Sequence, residues 1–244
     1  MINSQAEKVF KIFTDFDGTI TKTDVGETLF RKFGDKNIVE STIKDYLTEK
    51  ISARDCWDSL TKAIKFKDKK DLFDFIDKVK IDETFHDFVK YCQSNKFDLY
   101  VLSDGFDFYI DRIFEREGLK GLTYFSNKME FAEDNKLIPH FSFLNLDYKD
   151  SANCKRNHII NFSGDDEYTV FIGDGFSDRF TVQYCDFIFA KDDLLKYCEA
   201  EKITYSPYNN FLDVISKIEK LKQRKRLKKR HQAELKRKEA YMCE

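Results

Sequence analysis

The sequence predicts an α/β protein with a Rossmann-like parallel sheet, helices on both faces of that sheet and a small inserted helical cap. Short apolar runs typical of buried strands alternate with stretches whose apolar residues repeat at helical spacing. Residues 24–80 interrupt this alternation, because they contain helical patterns and no strand pattern. We therefore expect a core formed by residues 1–23 and 81–216, a cap at 24–80 and a basic C-terminal helix or tail at 217–244.

The first strand pattern, Val9–Phe13, ends in two carboxylates, Asp15 and Asp17, followed by Gly18 and Thr19. Side chains alternate along a strand, so Asp15 and Asp17 are expected to point the same way. Two neighbouring carboxylates repel each other unless a cation or a proton lies between them. The pattern therefore predicts a Mg²⁺-assisted site with Asp15 as the nucleophile. A solvated Asp-Gly turn is the alternative.

Four helical patterns follow one another inside the predicted cap. They cover residues 24–33, 41–51, 52–64 and 68–79, and their apolar residues recur at helical spacing. Ser52 stands at the start of the third pattern and is a typical N-cap residue, since its hydroxyl can accept a free backbone N–H. The cap is therefore expected to be almost entirely helical.

Strand and helix patterns alternate again after residue 81. Predicted strands cover 97–102, 123–131, 137–143, 167–172, 186–190 and an edge strand at 203–205. Predicted helices cover 82–93, 106–117, 155–162, 194–201 and 211–221. This alternation is typical of a parallel sheet covered by helices, although the strand at 137–143 is expected to pair with its predecessor across a turn.

Ser103 follows the strand pattern at 97–102 and precedes Asp104 and Gly105. A hydroxyl at the end of a strand, next to the start of a helix, can bind a phosphate oxygen together with backbone N–H groups. An ordinary N-cap serine would give the same local sequence. Ser103 is therefore a candidate phosphate ligand with a structural alternative.

Asp174 follows the strand pattern at 167–172 and lies between two glycines, and Asp178 comes four residues later. Glycine allows the backbone to approach a ligand closely, and carboxylates can complete a metal shell. A turn with an acidic residue favoured by the helix dipole is the alternative. Lys155 begins a short helix and could neutralise a phosphate, although a solvated lysine would look the same.

The order of these motifs resembles that of the haloacid-dehalogenase-type phosphatases. Asp15–Thr19 matches the first motif of this family and Ser103 the second. Lys155 matches the third motif, and Gly173–Asp178 matches the fourth. The helical insertion after the first motif is similar to the cap of the phosphoserine-phosphatase-like branch. Within that branch the sequence looks most similar to the methionine-salvage enol-phosphate phosphatases, which often have Ser-Gly-Gly where Asp104 stands here.

The resemblance implies a Mg²⁺-dependent phosphatase that hydrolyses a small-metabolite phosphomonoester through an aspartyl-phosphate. Asp15 would be the nucleophile, and Asp17 would be the general acid and base. The implied phosphate-binding residues are Gly18, Thr19, Ser103, Asp104, Gly105 and Lys155. The implied metal-binding residues are Asp15, Asp17 through its backbone carbonyl, Asp174 and Asp178.

Substrate selection is expected to depend on the cap. Glu27 and Arg31 lie shortly after the first motif and could reach the mouth of the pocket. Glu27 could accept a hydrogen bond from an amine or hydroxyl of the substrate. Solvated charges on a cap helix are the alternative for both residues.

The composition excludes several classes of protein. No apolar run of about 18 residues predicts a membrane span, and residues 1–8 lack the pattern of a signal peptide. The six cysteines are scattered and include no Cys-x-x-Cys pair, which favours reduced thiols in the cytoplasm and disfavours a zinc site. A small phosphorylated metabolite is the expected partner, and the composition predicts no oligomeric state.

Residues 217–244 carry 12 basic and four acidic residues, although the net charge of the chain is −2. We expect this segment to extend the last helix into solvent or to be disordered. It lacks interleaved aromatic residues, so nucleic acid is not the expected partner. Two alternatives to the phosphatase remain: a phosphomutase on the same scaffold, and a non-catalytic protein that binds through the basic segment. Dehalogenation is disfavoured because Asp17 supplies the acid–base group that phosphatases require.

Overall fold

The structure is a computed structural model that describes residues 8–148 and 151–243. Residues 1–7, which carry most of the evidence against a signal peptide, lie outside the described residues, as do 149–150 and Glu244. The chain divides into two compact units. The first comprises Met1–Thr14, Glu83–Leu99 and Arg156–Glu244, and the second comprises Asp15–Asp82 and Tyr100–Lys155.

The strands of the described residues form a mostly parallel sheet. They are β1 (Phe10–Thr14), β2 (Asp98–Phe106), β3 (Thr123–Phe131), β4 (Leu137–His140), β5 (Tyr168–Gly173), β6 (Phe187–Ala190) and β7 (Ser206–Pro207). Their order across the sheet is β4-β3-β2-β1-β5-β6-β7. β4 runs antiparallel to β3, whereas β2 and β3, β1 and β5, β5 and β6, and β6 and β7 pair in parallel. The predicted α/β class is confirmed.

The order of the helices agrees with the prediction, whereas the residues at which several of them begin and end differ from it. They are α1 (Val25–Phe33), α2 (Lys36–Leu47), α3 (Ala53–Ala63), α4 (Lys69–Ile76), α5 (Phe85–Ser94), α6 (Asp107–Arg116), α7 (Lys155–Asn161), α8 (Asp192–Ala200), α9 (Phe211–Lys222) and α10 (His231–Cys243). Short 3₁₀ turns lie at Glu133–Asn135, Phe176–Asp178 and Thr181–Tyr184. In the stretch at 24–80, all of which is described, the regular elements are the helices α1 to α4.

Polar side chains define where the helices of residues 24–80 begin. Asp35 begins α2, because its carboxylate accepts the backbone N–H groups of Asn37 and Ile38 at 3.1 and 3.4 Å. The predicted helix at 41–51 was therefore wrong at both ends. Ser52 caps α3 as predicted, since its hydroxyl accepts a backbone N–H from the first turn of the helix.

The chain enters and leaves the predicted cap side by side. The backbone N–H of Asp82 donates to the carbonyl of Ile20 at 2.8 Å, and that of Lys22 donates to the carbonyl of Lys80 at 2.9 Å. An insertion at 24–80 requires its two ends to meet in this way. The division into core, cap and basic segment remains a prediction.

β2 extends beyond the end that the sequence predicted. The strand continues from Leu102 through Ser103 to Phe106, with a shift in its register against β3 between Leu102 and Phe106. The predicted end at Leu102 was wrong, because pairing with a neighbouring strand outweighs the local preference of Asp-Gly for a turn. The short edge strand lies at Ser206–Pro207 and not at 203–205.

Aromatic side chains fill the core of the first unit. Phe85 and Phe88 of α5 pack on Phe211 of α9, with ring centroids 4.9 and 5.0 Å apart. Phe10 of β1 is fully buried and packs edge-on against Phe97 at 5.3 Å. β1 and β5 run in register from Phe10 to Thr14, so their carboxyl ends lie side by side.

The basic C-terminal segment is partly folded into the first unit. α9 ends at Lys222, and α10 is a separate helix whose Ala233 and Ala240 are buried. Arg237 of α10 is also buried, and its guanidinium donates to both carboxylate oxygens of Asp186 at 3.2 and 3.3 Å. The prediction of a solvated or disordered tail was therefore wrong, because a buried carboxylate requires a cation that this segment supplies.

No helix in the described parts of the chain is both long and apolar enough to cross a membrane. Five cysteines have described side chains, and each is buried and outside any disulfide. They are Cys56, Cys92, Cys154, Cys185 and Cys198. The side chain of Cys243 lies outside the described part of the structure.

Candidate active site

Asp15 follows β1 directly and forms a buried ion pair. The ammonium of Lys155, the first residue of α7, donates to Asp15 Oδ1 at 2.5 Å. Only 4% of the surface of Asp15 and 1% of that of Lys155 are exposed. Two opposite charges tolerate such burial when they are paired at hydrogen-bond distance. The structure thus joins two predicted site residues that lie 140 positions apart in the chain.

Asp17 is half-buried, and both oxygens of its carboxyl group are held by donors. Oδ1 accepts the backbone N–H of Val25 at 2.9 Å, whereas Oδ2 accepts the hydroxyls of Ser103 and Tyr109 at 3.0 Å each. Burial raises the pKa of Asp17, and this effect outweighs those donors and the positive charge of Lys155, which lower it. Asp17 therefore keeps its proton to a higher pH than an ordinary aspartate does.

Gly18 makes the turn that follows the two carboxylates. Its φ of 77° lies in the left-handed region, which a residue with a Cβ adopts only with strain. Its N–H donates to the hydroxyl of Thr21 at 3.1 Å, and Thr19 beside it is buried. The chain therefore turns at Gly18, and the hydroxyl of Thr21 stabilises this turn.

Ser103 and Gly105 lie next to Asp17. The Ser103 hydroxyl is fully buried, donates to Asp17 and accepts the Gly105 N–H at 3.0 Å. A Cβ at Gly105 would lie 1.4 Å from the hydroxyl oxygen of Tyr109 and 2.9 Å from Asp17 Oδ2. Only glycine fits this position, because a side chain would displace the tyrosine that contacts Asp17.

Asp104 directs its carboxylate to the segment that precedes Lys155. Its Oδ1 accepts the hydroxyl of Ser151 and the backbone N–H of Asn153, both at 2.7 Å. Burial raises the pKa of Asp104, and the charge of Lys155 together with these donors opposes that rise. These contacts differ from the predicted contact with phosphate, which a carboxylate would repel.

Asp178 folds back onto the loop that follows β5. It is fully buried, and its Oδ2 accepts the backbone N–H groups of Asp174 and Gly175 at 3.2 Å each. A Cβ at Gly173 would lie 2.3 Å from the same oxygen, so glycine is required there. These two N–H donors fix the direction of the Asp178 carboxylate.

Asp15, Asp174 and Asp178 could hold a metal ion, since each offers a carboxylate oxygen and these oxygens lie within 4.8 Å of one another. Oxygen-only ligands suit a hard divalent cation such as Mg²⁺ or Ca²⁺. The carboxylate of Asp17 is not among these oxygens. The donor set therefore fits the divalent metal that the sequence predicted.

A family model of haloacid dehalogenase-like hydrolases matches residues 12–180. The chain belongs to this family. The resemblance inferred from the motifs is confirmed, and with it the class of enzyme, a phosphatase that hydrolyses phosphate monoesters.

Curated relatives of this haloacid dehalogenase-like hydrolase span nearly its whole length. A 2-hydroxy-3-keto-5-methylthiopentenyl-1-phosphate phosphatase of Lysinibacillus sphaericus is 30% identical over 216 residues, which cover 86% of this chain and 94% of that protein. The enzyme of the same name from Bacillus mycoides is 28% identical over 214 residues, with 86% and 96% covered. A structure of a phospho-aspartyl intermediate analogue of phosphoserine phosphatase superposes with a TM-score of 0.67 at 21% identity, covering 87% of this chain and 99% of that one. This last likeness concerns the fold.

Glu27 and Arg31 of this hydrolase lie on an exposed face of α1. The guanidinium of Arg31 donates to Glu27 at 2.7 Å and also to Glu40 of α2. The two predicted substrate residues therefore bind each other in this structure. Such surface contacts are also what solvated charges on a cap helix would form.

Three residues that contact the predicted site residues were missed in the sequence. Tyr109 binds Asp17, whereas Ser151 and Asn153 bind Asp104. Tyr109 could have been found, because it lies on the apolar face of a helical pattern, where a buried hydroxyl needs a partner. Ser151 and Asn153 gave no such signal, since both stand in a polar loop.

Proposed function

We propose that this hydrolase transfers the phosphoryl group of a small phosphorylated metabolite first to Asp15 and then to water. A carboxylate oxygen of Asp15 attacks phosphorus, and the bond between phosphorus and the leaving oxygen breaks, which forms an aspartyl-phosphate. The observation that carries this proposal is the buried Asp15–Lys155 pair, whose lysine belongs to a different sequence motif. A buried lysine beside the nucleophile can also bind the phosphoryl oxygens.

Asp17 is proposed to move the protons of both steps. It first donates its proton to the leaving oxygen, which departs as an alcohol or enol. The resulting carboxylate then accepts a proton from the water that attacks the aspartyl-phosphate, so that inorganic phosphate is released and both aspartates are regenerated. The raised pKa of Asp17 supports this proposal, because the protonated form must be populated at the start.

Ser103 and Lys155 are proposed to bind the non-bridging oxygens of the phosphoryl group. Both are buried next to the reacting carboxyl groups. Their hydrogen-bond donors can stabilise the negative charge on the phosphoryl oxygens during transfer. Gly18, Thr19 and Gly105 are proposed to complete this phosphate site through their backbone. The structure requires glycine at both Gly18 and Gly105.

Asp15, Asp174 and Asp178 are proposed to hold Mg²⁺ together with the backbone carbonyl of Asp17. The three carboxylates support this assignment by their distances and by their oxygen-only chemistry. A bound divalent cation would offset the repulsion between the Asp15 carboxylate and the phosphate dianion.

The proposed substrate is an enol-phosphate of the kind named for the curated relatives, with phosphoserine as the second candidate. The relatives cover most of the chain, which supports the first assignment. Glu27 and Arg31 are proposed to exchange their mutual contact for the substrate. The proposed location is the cytoplasm, which the five reduced cysteines support.

The alternatives have less support. A phosphomutase would retain the phosphate, whereas the matching family is one of hydrolases. A non-catalytic protein that binds through its basic segment is disfavoured, because Arg237 of that segment is buried against Asp186 and not offered to a partner.

Release of inorganic phosphate tests the proposal. We expect hydrolysis of 2-hydroxy-3-keto-5-methylthiopentenyl-1-phosphate and of p-nitrophenyl phosphate, loss of both activities in EDTA and their return with Mg²⁺. Asp15→Asn should abolish turnover while the protein stays folded, since an amide is a poor nucleophile. Near-full activity of Asp15→Asn would refute the covalent route, and a higher kcat/KM for phosphoserine would reverse the order of the two substrates. An unchanged substrate ranking in Glu27→Ala would leave Glu27 and Arg31 as a surface ion pair.

A further inference from the structure

The carboxylate of Asp104 binds the short segment that leads into α7. Oδ1 accepts the hydroxyl of Ser151 and the backbone N–H of Asn153, each at 2.7 Å. Asn153 is fully buried, and Lys155 begins the helix two residues later. A carboxylate that accepts two donors from one segment fixes both the path and the orientation of that segment.

The side chain of Asn153 binds the backbone of β2 and β3. Its side-chain amide donates to the carbonyls of Ser103 and Phe125, both at 2.8 Å. Asn127 of β3 donates to the carbonyl of Asp104 at 2.7 Å. The backbone at Ser103 and Asp104 is therefore tied to the segment before Lys155 and to the neighbouring strand by contacts that are buried or partly buried.

Electrostatics also connect Asp104 with Lys155. The positive charge of Lys155 favours the ionised form of Asp104, whereas burial opposes it. Lys155 itself contacts Asp15 at 2.5 Å, so the ammonium experiences two carboxylates. Asp104 is unsuited to bind phosphate itself, since two anions repel, but it can hold the groups that do.

We propose that Asp104 is a positioning residue that fixes Ser103 and Lys155 relative to each other, through Ser151 and Asn153, as one preformed phosphate-binding unit. This inference rests on the proposed function of Ser103 and Lys155. It assigns to Asp104 the task of orienting both ligands of the phosphoryl group, 52 residues apart in the chain, before substrate arrives.

Asp104→Ala tests this inference, with Asp107→Ala as the matched control. Asp107 is the first residue of α6, and its carboxylate accepts the backbone N–H of Met129 at 2.9 Å. Both variants therefore lose a carboxylate that accepts a hydrogen bond from a backbone N–H. The measurements are the inhibition constant of inorganic phosphate, kcat and KM for p-nitrophenyl phosphate and phosphoserine, and the melting temperature.

We expect Asp104→Ala to raise the phosphate inhibition constant by about 10- to 100-fold, the range seen when groups that orient the ligands of metal sites are removed. KM should rise by the same factor for both esters, because the affected groups contact the phosphoryl part that they share. Asp104→Asn retains an acceptor oxygen and should restore phosphate inhibition to within a few fold of wild type. Asp107→Ala should leave the inhibition constant unchanged.

Equal phosphate inhibition in Asp104→Ala and Asp107→Ala, or a lower melting temperature as the sole effect, would overturn the inference and leave the proposed function intact. Should Asp104→Ala fail to fold, Ser151→Ala removes one of the two donors and should still weaken phosphate inhibition, whereas no change would refute the inference. A wild-type protein that releases no phosphate from any ester would instead refute the proposed function.

Discussion

Two aspartates separated by one residue acquire different chemistry from their partners. Asp15 forms a buried ion pair with the ammonium of Lys155. Asp17 is half-buried and held by three neutral donors, and burial raises its pKa. These different surroundings support the proposal that Asp15 is the nucleophile and Asp17 the acid, since nearby charge and burial set the proton affinity of a carboxyl group.

Asp17→Asn should lower kcat by about 10²- to 10⁴-fold, the usual contribution of general acid–base catalysis, because an amide cannot donate or accept the proton. The loss should be larger for an alkyl phosphate than for p-nitrophenyl phosphate, whose leaving group departs without a proton. Steady-state kinetics on the two esters measure this difference, with Asp107→Asn as the control. Unchanged rates on both esters would remove Asp17 from this role.

His158 of α7 should make stability depend on pH. Burial lowers the pKa of His158 to about 4, whereas an unfolded histidine titrates near 6.5. Between these pH values the unfolded chain binds a proton that the folded protein does not. The contribution of His158 to the free energy of unfolding is therefore fully present above about pH 6.5 and declines as the pH falls toward 4. The contribution is about 3 kcal/mol over that window.

Urea unfolding of wild type and His158→Leu at several pH values from 7 to 4.5 measures this contribution. We expect the variant to lose less stability than wild type over that range, whatever its stability at pH 7. His140→Leu, at an exposed position of β4, controls for removal of an imidazole. Parallel declines of wild type and His158→Leu would show that His158 does not cause the pH dependence.

At the scale of elements, α10 shows how a highly charged segment can fold into a protein. Its apolar content is low, and only small residues such as Ala233 and Ala240 are buried together with Arg237. Arg237 also donates to the hydroxyl of Thr169 at 3.1 Å, in addition to Asp186. A buried ion pair with several hydrogen bonds therefore attaches the helix where an apolar stripe is missing.

Arg237→Met should lower the free energy of unfolding by about 3–5 kcal/mol, because it leaves the buried Asp186 carboxylate without its cation. Lys238→Met is the matched control, since Lys238 is exposed on the same helix and should change stability by less than about 1 kcal/mol. Urea titration of both variants measures the difference. Equal stability of the two variants would mean that the Asp186 contact does not attach α10.

At the scale of the whole molecule, the candidate metal ligands come from segments far apart in the sequence, Asp15 after β1 and Asp174 and Asp178 after β5. A folded chain can present these oxygens together, whereas an unfolded chain cannot. A cation that binds them therefore binds the native state in preference, and such binding adds to its stability.

Mg²⁺ should accordingly raise the melting temperature, and EDTA should reverse the shift. A concentration one hundred times the dissociation constant adds about 2.7 kcal/mol to the free energy of unfolding. Asp178→Asn should weaken the shift, whereas Asp166→Asn at an exposed position should leave it unchanged. Thermal melts with and without Mg²⁺ measure both variants. A shift of equal size in wild type and Asp178→Asn would exclude Asp178 as a ligand.

Local sequence determined the secondary structure and the order of the motifs. Strand and helix patterns depend on neighbouring residues. The α/β class, the helical stretch at 24–80 and the N-cap role of Ser52 in α3 could therefore be predicted. Asp15, Asp17 and Lys155 could be identified as candidates, because their motifs appear in a characteristic order. Asp35, a typical N-cap residue, also marks the start of α2 in the sequence.

Tertiary structure decided which distant partners these residues meet. β2 continues through Ser103 and Asp104, where it is part of the sheet. The segment before Lys155 binds the Asp104 carboxylate, and the ion pair with Asp186 attaches the basic C-terminal helix to the first unit. Each outcome depends on a contact across tens of residues, which the local preferences of either partner do not contain. The sequence by itself therefore determined which side chains could do the chemistry, and only the folded chain determined which of them are paired, buried and held in place.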